Sequence, residues 1–270
     1  MTRSEFSLHS PGFPVATPIL DELGLKFSSG GAHISRTMML AELGALLSAV
    51  PVGSTSADYR AAILQRNVLG KTTDSTRQKS LRHLRELYAL DESIPIFALL
   101  RRLQDIDLGA SLPLLAVQVA WSRDPLLRAT TQPVLDASVG DLVERASLVQ
   151  AFEGAFPNQY SEASLKTATQ NAASSWTQSG HLTGHMKKVR QQVKPTAVPV
   201  TMALFLGQLA GYHGAAVFSN PWVRLLDLGA DRARAMAQEA HRAGLLNLRA
   251  VGEVVELNFP LFADLQGLSA

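Results

Sequence analysis

Residues 161–194 read SEASLKTATQNAASSWTQSGHLTGHMKKVRQQVK, and the order of signals in this stretch decides the fold class. Ser161 is placed to cap a helix, Leu165, Ala168, Ala172 and Trp176 fall along one helical face, and Gly180 supplies the stop. His181 and Leu182 then lead to a turn at Gly184 and the basic run MKKVRQQV, which predicts a hairpin or loop beside the helix. A helix followed at once by a short hairpin is the order of a winged helix-turn-helix.

Working outward, the same plan recurs downstream without close sequence repetition. A helix over 231–243 ends at Gly244 and gives way to LLNLRAVGEVVELNFP, in which Val251-Gly252 separates two extended apolar-rich runs. This second helix is expected to expose Arg232, Arg234, Gln238 and Arg242.

Upstream the periodicity is helical throughout. A Ser28-Ser29-Gly30-Gly31 turn precedes a helix over 35–49, whose Met38, Met39, Leu43, Leu46 and Leu47 share a core-facing stripe. Further helices are predicted over 55–68, from a cap at Asp74 or Ser75 onward, and over 94–103, 113–122, 125–135 and 141–156. In the helix after Asp74 the buried stripe is Leu81, Leu84, Leu87 and Tyr88, with Lys79, Arg82 and Arg85 opposite. The expectation is a mainly α chain. It divides into a flexible segment 1–30, a helical bundle domain 31–140 and a winged-helix-like region 141–270 with short β-hairpins, in two units, 141–195 and 196–270.

Composition narrows the function classes. With 46% hydrophobic and 18% charged residues the chain can bury a sizeable core, so disorder of the whole is excluded. There is no cysteine, which removes disulfides, thiolate metal sites and cysteine nucleophiles and fits a reducing, cytoplasmic setting. The first 18 residues hold three prolines and Glu5 where a secretory signal needs an unbroken apolar run, so export by a cleaved signal is not expected. Residues 195–223 carry no charge and are long enough to cross a bilayer, but Gln208, Tyr212 and His213 would lie at mid-depth, so a buried helix and no membrane partner are expected.

Sequence-local chemistry is sparse. Gly70-Lys71-Thr72 resembles the end of a phosphate-binding loop, but Gln65 stands where the upstream glycine is needed and a helix precedes it. His181 and His185 are four apart with no glutamate between them, so no metal is expected. No nucleophile elbow or dinucleotide fingerprint is present, and no enzyme, cofactor or small-molecule substrate is expected, although a triad assembled in space leaves no such local motif.

Charge distribution points instead to a polyanion. Net charge is only +2, yet no acidic residue occurs from Ala163 to Leu226. The candidate DNA-contacting residues are Lys166, Gln170 and Asn171 on the helix after Ser161, with Lys187, Lys188 and Arg190 on the wing. A second candidate surface comprises Lys71, Arg77, Lys79, Arg82 and Arg85. Two other readings stand beside double-stranded DNA binding: a scaffold that docks proteins through the helical half, and RNA binding through the second surface.

FSSGGAHISRTMMLAELGALL (27–47) and ILQRNVLGKTTDSTRQKSLRHLRELYAL (63–90), with Asn67, Leu69, Lys71, Thr72, Thr76 and Leu84 carrying most of the likeness, resemble the BrxA family of BREX phage-defence systems. SSWTQSGHL and AHRAGLLNLRAVGEVVELNFP are similar to segments of that family's second half, in the same order. This resemblance implies a non-enzymatic, helical, DNA-binding accessory component of an antiphage system, with a first half likened to an RNA-binding antitermination-factor fold and other BREX components as partners. The family has no defining catalytic residues to place on this chain.

Overall fold

Side-chain caps set many of the helix starts in the computed structural model, which describes residues 17–28, 30–251 and 254–266. Residues 1–16 of the expected flexible segment, Ser29 and Gly252 lie outside the described residues. The first half contains α1 (Pro18–Glu22), α2 (Leu40–Ala49), α3 (Ser56–Leu64), α4 (Asp74–Tyr88), α5 (Pro95–Gln104), α6 (Leu112–Arg123), α7 (Pro125–Ala129) and α8 (Thr131–Leu135), with a 3-10 turn at Ala32–Ile34. The second half contains α9 (Arg145–Ala155), α10 (Glu162–Gln178), β1 (Leu182–Thr183), β2 (Val189–Arg190), α11 (Ala197–Leu209), α12 (Pro221–Leu225), α13 (Ala230–Arg242), β3 (Asn247–Val251), β4 (Val254–Asn258) and α14 (Ala263–Gln266). The protein is therefore mainly α with two short antiparallel hairpins, β1·β2 and β3·β4.

Several boundaries differ from the sequence reading, each for a tertiary reason. Leu20, Leu23 and Leu25 are buried, so residues 18–28 of the expected flexible segment are packed against the core. The helix expected over 35–49 begins only at Leu40, because α10 captures the backbone before it. Ser175 Oγ accepts the Met38 N–H at 2.8 Å and Gln178 Oε1 accepts that of Leu40 at 3.1 Å. Met38 and Met39 are still buried. Thr73, not Asp74 or Ser75, caps α4 in a reciprocal box with Thr76. The helix expected over 141–156 begins at Arg145, because residues 141–143 run beside β2: Leu142 bridges Val189, and Val143 N–H donates to Lys188 O at 2.8 Å. The single helix expected over 125–135 is interrupted at Thr130, whose hydroxyl turns back to Leu127 O and accepts Trp176 Nε1.

The uncharged stretch that is long enough for a membrane becomes α11, a 3-10 turn at Gly214–Ser219 and α12. α11 is buried on nearly all sides, between α5, α6, α12 and α13, and Phe205 meets Phe259 and Phe262 at 5.2 and 5.1 Å between ring centroids. No helix among the described residues is long and apolar enough to cross a membrane.

One buried polar network sets the position of α10. Asp124 Oδ2 accepts from His33 Nδ1 at 2.7 Å and from the His33 backbone N–H at 3.1 Å, while Oδ1 accepts from Leu126 and Leu127 N–H at the start of α7. His33 Nε2 lies 2.8 Å from Ser175 Oγ, and Asn171 Nδ2 donates to His33 O at 2.9 Å. Gly31 is needed for this close approach, since a Cβ there would lie 2.1 Å from Asp124 Oδ1. Burial alone would raise the Asp124 carboxyl, but the His33 ring and the amides that donate to it outweigh burial and hold it below its usual value. Asp124→Asn replaces the acceptor that faces His33 with an amide, and is expected to lower the unfolding free energy by roughly 3 kcal/mol. Urea unfolding at unchanged m-value is the measurement, and a loss near zero would show that the network does not hold the fold.

Candidate nucleic-acid interface

α10 divides lengthwise into an exposed and a buried part. Its N-terminal half leaves Lys166, Thr167 and Gln170 exposed, whereas Ala168, Ala172 and Trp176 are buried against α9, α7 and the 3-10 turn. Asn171 is not on that exposed face, because its side chain turns inward to His33 O. Arg145, at the start of α9, is exposed and donates to Lys166 O at 3.4 Å.

The hairpin beside α10 is fixed by the residues at its base. Gly184 lies at φ +91°, and a Cβ there would meet Lys187 O at 2.1 Å, so the turn admits no side chain. Lys188 Nζ donates to Gly184 O at 2.8 Å and to Thr177 Oγ1 at 2.9 Å, tying the turn to the end of α10. Burial lowers the Lys188 ammonium from its ordinary value. Lys188 is thus half-buried, while His185, Met186 and Lys187 project into solvent.

Arg190 faces the interior, contrary to the expectation that it reaches a DNA backbone. It is 3% exposed, forms an ion pair with Asp227 and donates to Gln191 O. Beside it His181 is fully buried: Nε2 donates to Leu225 O at 2.7 Å, Nδ1 accepts from Ser179 Oγ at 2.8 Å, and the ring meets Trp176 edge-on. The structure leaves Lys166, Gln170 and Lys187 exposed on the α10 unit and withdraws Asn171 and Arg190. Arg145, beside Lys166, and Lys194, just after β2, are also exposed, and their proximity in the sequence to α9 and β2 was the available signal.

The second basic surface is only partly free. Lys79, Arg82 and Arg85 are exposed on α4, with Arg85 donating to Ser56 Oγ. Arg77 is ion-paired to Asp74 and donates to Leu64 O, and Lys71 pairs with Glu42 at 2.9 Å. Arg36 and Arg82 flank His83, which burial and these two charges push down to about 4. The anion-binding role considered for Gly70-Lys71-Thr72 has no support in the geometry, since Asn67 Oδ1 accepts the Lys71 N–H and the turn leads into capped α4.

Ser175, His33 and Asp124 reproduce the connectivity of a hydrolytic triad, a grouping that sequence-local motifs do not reveal. Ser175 and His33 are 0% and Asp124 1% exposed, and Ser175 Oγ is engaged by Met38 N–H and by Asn171 O. No substrate carbonyl reaches that hydroxyl in this arrangement, so its work is to hold α10 against the 3-10 turn. Among the described residues no group of three or more His, Asp or Glu could hold a metal ion.

Comparison with protein-family models and with curated proteins gave no match.

Burial pushes the His181 imidazole down to about 4 from an unfolded value of 6.5, against an opposing pull from Asp227. The unfolded chain therefore binds the extra proton first as pH falls below 6.5. Stability present above pH 6.5 is lost progressively toward pH 4, by up to about 3 kcal/mol from this one group. Urea titrations between pH 4 and 8 should show that loss, and His181→Gln should flatten the slope. An unchanged slope would mean that His181 is not held neutral in the folded state.

Proposed function

We propose that the protein is a non-enzymatic double-stranded DNA-binding protein that uses α10 and the adjoining hairpin. The observation that carries this reading is the arrangement of the α10 unit. Residues 141–143 pair with β2, β2 pairs with β1, and α9 and α10 lie between the first and second of these extended segments in the chain. That is the connectivity of a winged helix, with α10 in the recognition position and residues 184–188 as the wing.

The chemistry fits the same reading. Lys166 and Gln170 stand on the exposed N-terminal half of α10, where a recognition helix meets base edges, and Thr167 stands with them. Arg145 lies beside Lys166 at that half, and with the exposed Lys187 and Lys194, toward the other end of α10, it would neutralise backbone phosphates. The acids Asp141 and Glu144 sit on or just after the strand at the opposite edge from β1. The sealed Ser175–His33–Asp124 grouping supports a role without chemistry of its own.

The resemblance to the BrxA family extends the proposal to an accessory role in BREX-type phage defence, in the cytoplasm and beside other components of that system. A scaffold role has one observation in its favour: Leu108 is 95% exposed and Ile106 45% exposed on one loop between α5 and α6, an apolar pair suited to a protein partner. RNA binding would use the exposed Lys79, Arg82 and Arg85 of α4.

Fluorescence anisotropy of a labelled random duplex of about 30 base pairs across a salt series tests the proposal, because the slope counts phosphate contacts at about 0.9 per contact. Lys166→Ala, Lys187→Ala and Lys194→Ala together should weaken binding and reduce the slope by roughly 2 to 3. Arg190 is left intact in this variant because removing it would strand Asp227. Salt-insensitive or undetectable binding would overturn the reading, and loss seen instead in the Lys79→Ala, Arg82→Ala, Arg85→Ala variant would move the surface to α4.

A further inference from the structure

The exposed side chain of Met186 has no role in packing. It stands at the tip of the β1·β2 hairpin and is 87% exposed, although its neighbours at the hairpin base are held by the Gly184–Lys187 close approach and the Lys188 hydrogen bonds. A flexible apolar side chain on a stiff support, with His185 and Lys187 exposed on either side, is suited to entering a polar groove with an apolar interior. Leu108 offers a contrast. It is as exposed, but it lies between Asp107 and a glycine with Asp105 nearby, which would repel a polyanion.

We propose that Met186 is an apolar wedge that enters the minor groove of the bound duplex and partly unstacks one base step. This rests on the reading of α10 as the recognition helix. From Lys166 to Gln178 the helix rises about 18 Å at about 1.5 Å per residue, and the wing emerges just beyond. Half a turn of duplex is about 17 Å, so with the exposed half of α10 in a major groove the wing tip reaches the flanking minor groove. Charge complementarity selects DNA as the occupant: Lys187 is exposed beside the tip, and no acid occurs between Ala163 and Lys194. Apolar residues inserted between steps kink DNA toward the major groove, and flexible pyrimidine–purine steps yield most readily. The cations beside the tip favour a narrow minor groove, whose negative potential is highest.

The test uses the full chain with a duplex of about 30 base pairs that carries 2-aminopurine beside a central TA step. Wild-type protein is expected to raise 2-aminopurine fluorescence on binding, which reports unstacking. Met186→Ala should lose that rise and bind roughly tenfold more weakly with the salt slope unchanged, while Met186→Leu retains the rise. Because Met186 is exposed, neither variant should alter unfolding, which a urea melt checks. Salt-steep binding by Met186→Ala with the fluorescence rise intact would overturn the wedge and leave the DNA reading standing. Failure of wild-type protein to bind any duplex would overturn both. Loss of self-association in Met186→Ala, with DNA affinity and fluorescence unchanged, would assign the tip to a contact between copies and overturn the proposal.

Discussion

The carboxylate of Asp124 is the constraint from which the arrangement of the helices follows. A buried carboxylate costs several kcal/mol in lost hydration, and only a full set of donors offsets it. Here the donors are the ring and backbone of His33 and two amides of α7. His33 in turn binds Ser175 and, through its carbonyl, Asn171. The carboxylate is satisfied only when the 3-10 turn meets the start of α7, and α10 joins the network at one remove, through His33. The network couples the helical half to the helix that the α10 unit would present to DNA, and it holds the buried face of α10 while Lys166, Thr167 and Gln170 remain exposed.

Buried cations perform a related task at helix ends. Arg101 donates to Leu47 O and Val50 O at the end of α2, Arg123 to Glu86 O near the end of α4 and to Gly24 O, and Arg128 to Trp121 O and Lys26 O. Each guanidinium supplies several donors to carbonyls that no intrahelical N–H reaches. Burial lowers Arg123 to about 10 and Arg128 to about 9, values at which both remain charged at neutral pH.

What the sequence made legible follows from which interactions are local. The periodic stripes of α2, α4 and α10, the Ser161 cap and both hairpins depend on residues a few positions apart, and the structure has them. The false helix over 35–39 and the strand-like 141–143 depend on Ser175, Gln178 and β2, partners that no local pattern displays. The candidate site shows the same division. Lys166, Gln170 and Lys187 emerged where the 3.6 period and the hairpin placed them, but Arg190 looks like any surface arginine until Asp227, 37 residues on, is brought beside it.

The acid-free window from Ala163 to Leu226 also separates into two parts with different physical origins. Residues 195–223 lack charge of either sign because α11 and α12 are buried, so their freedom from acids says nothing about a partner. The part before Pro195 keeps several exposed cations while lacking acids, whereas beyond it the exposed Arg224 is paired with Asp136. The net charge needs a similar correction. Among the described residues Arg101, Arg123, Arg128 and Arg190 are buried cations against the one buried acid Asp124, a net of three internal positive charges that more than accounts for the +2 of the whole chain. A surface without net positive charge gives little long-range attraction to a polyanion. The proposed DNA binding would therefore depend on the local field of α10 and the β1·β2 hairpin and on shape at close range, which would place the energetic weight on a few contacts instead of on a broad basic face.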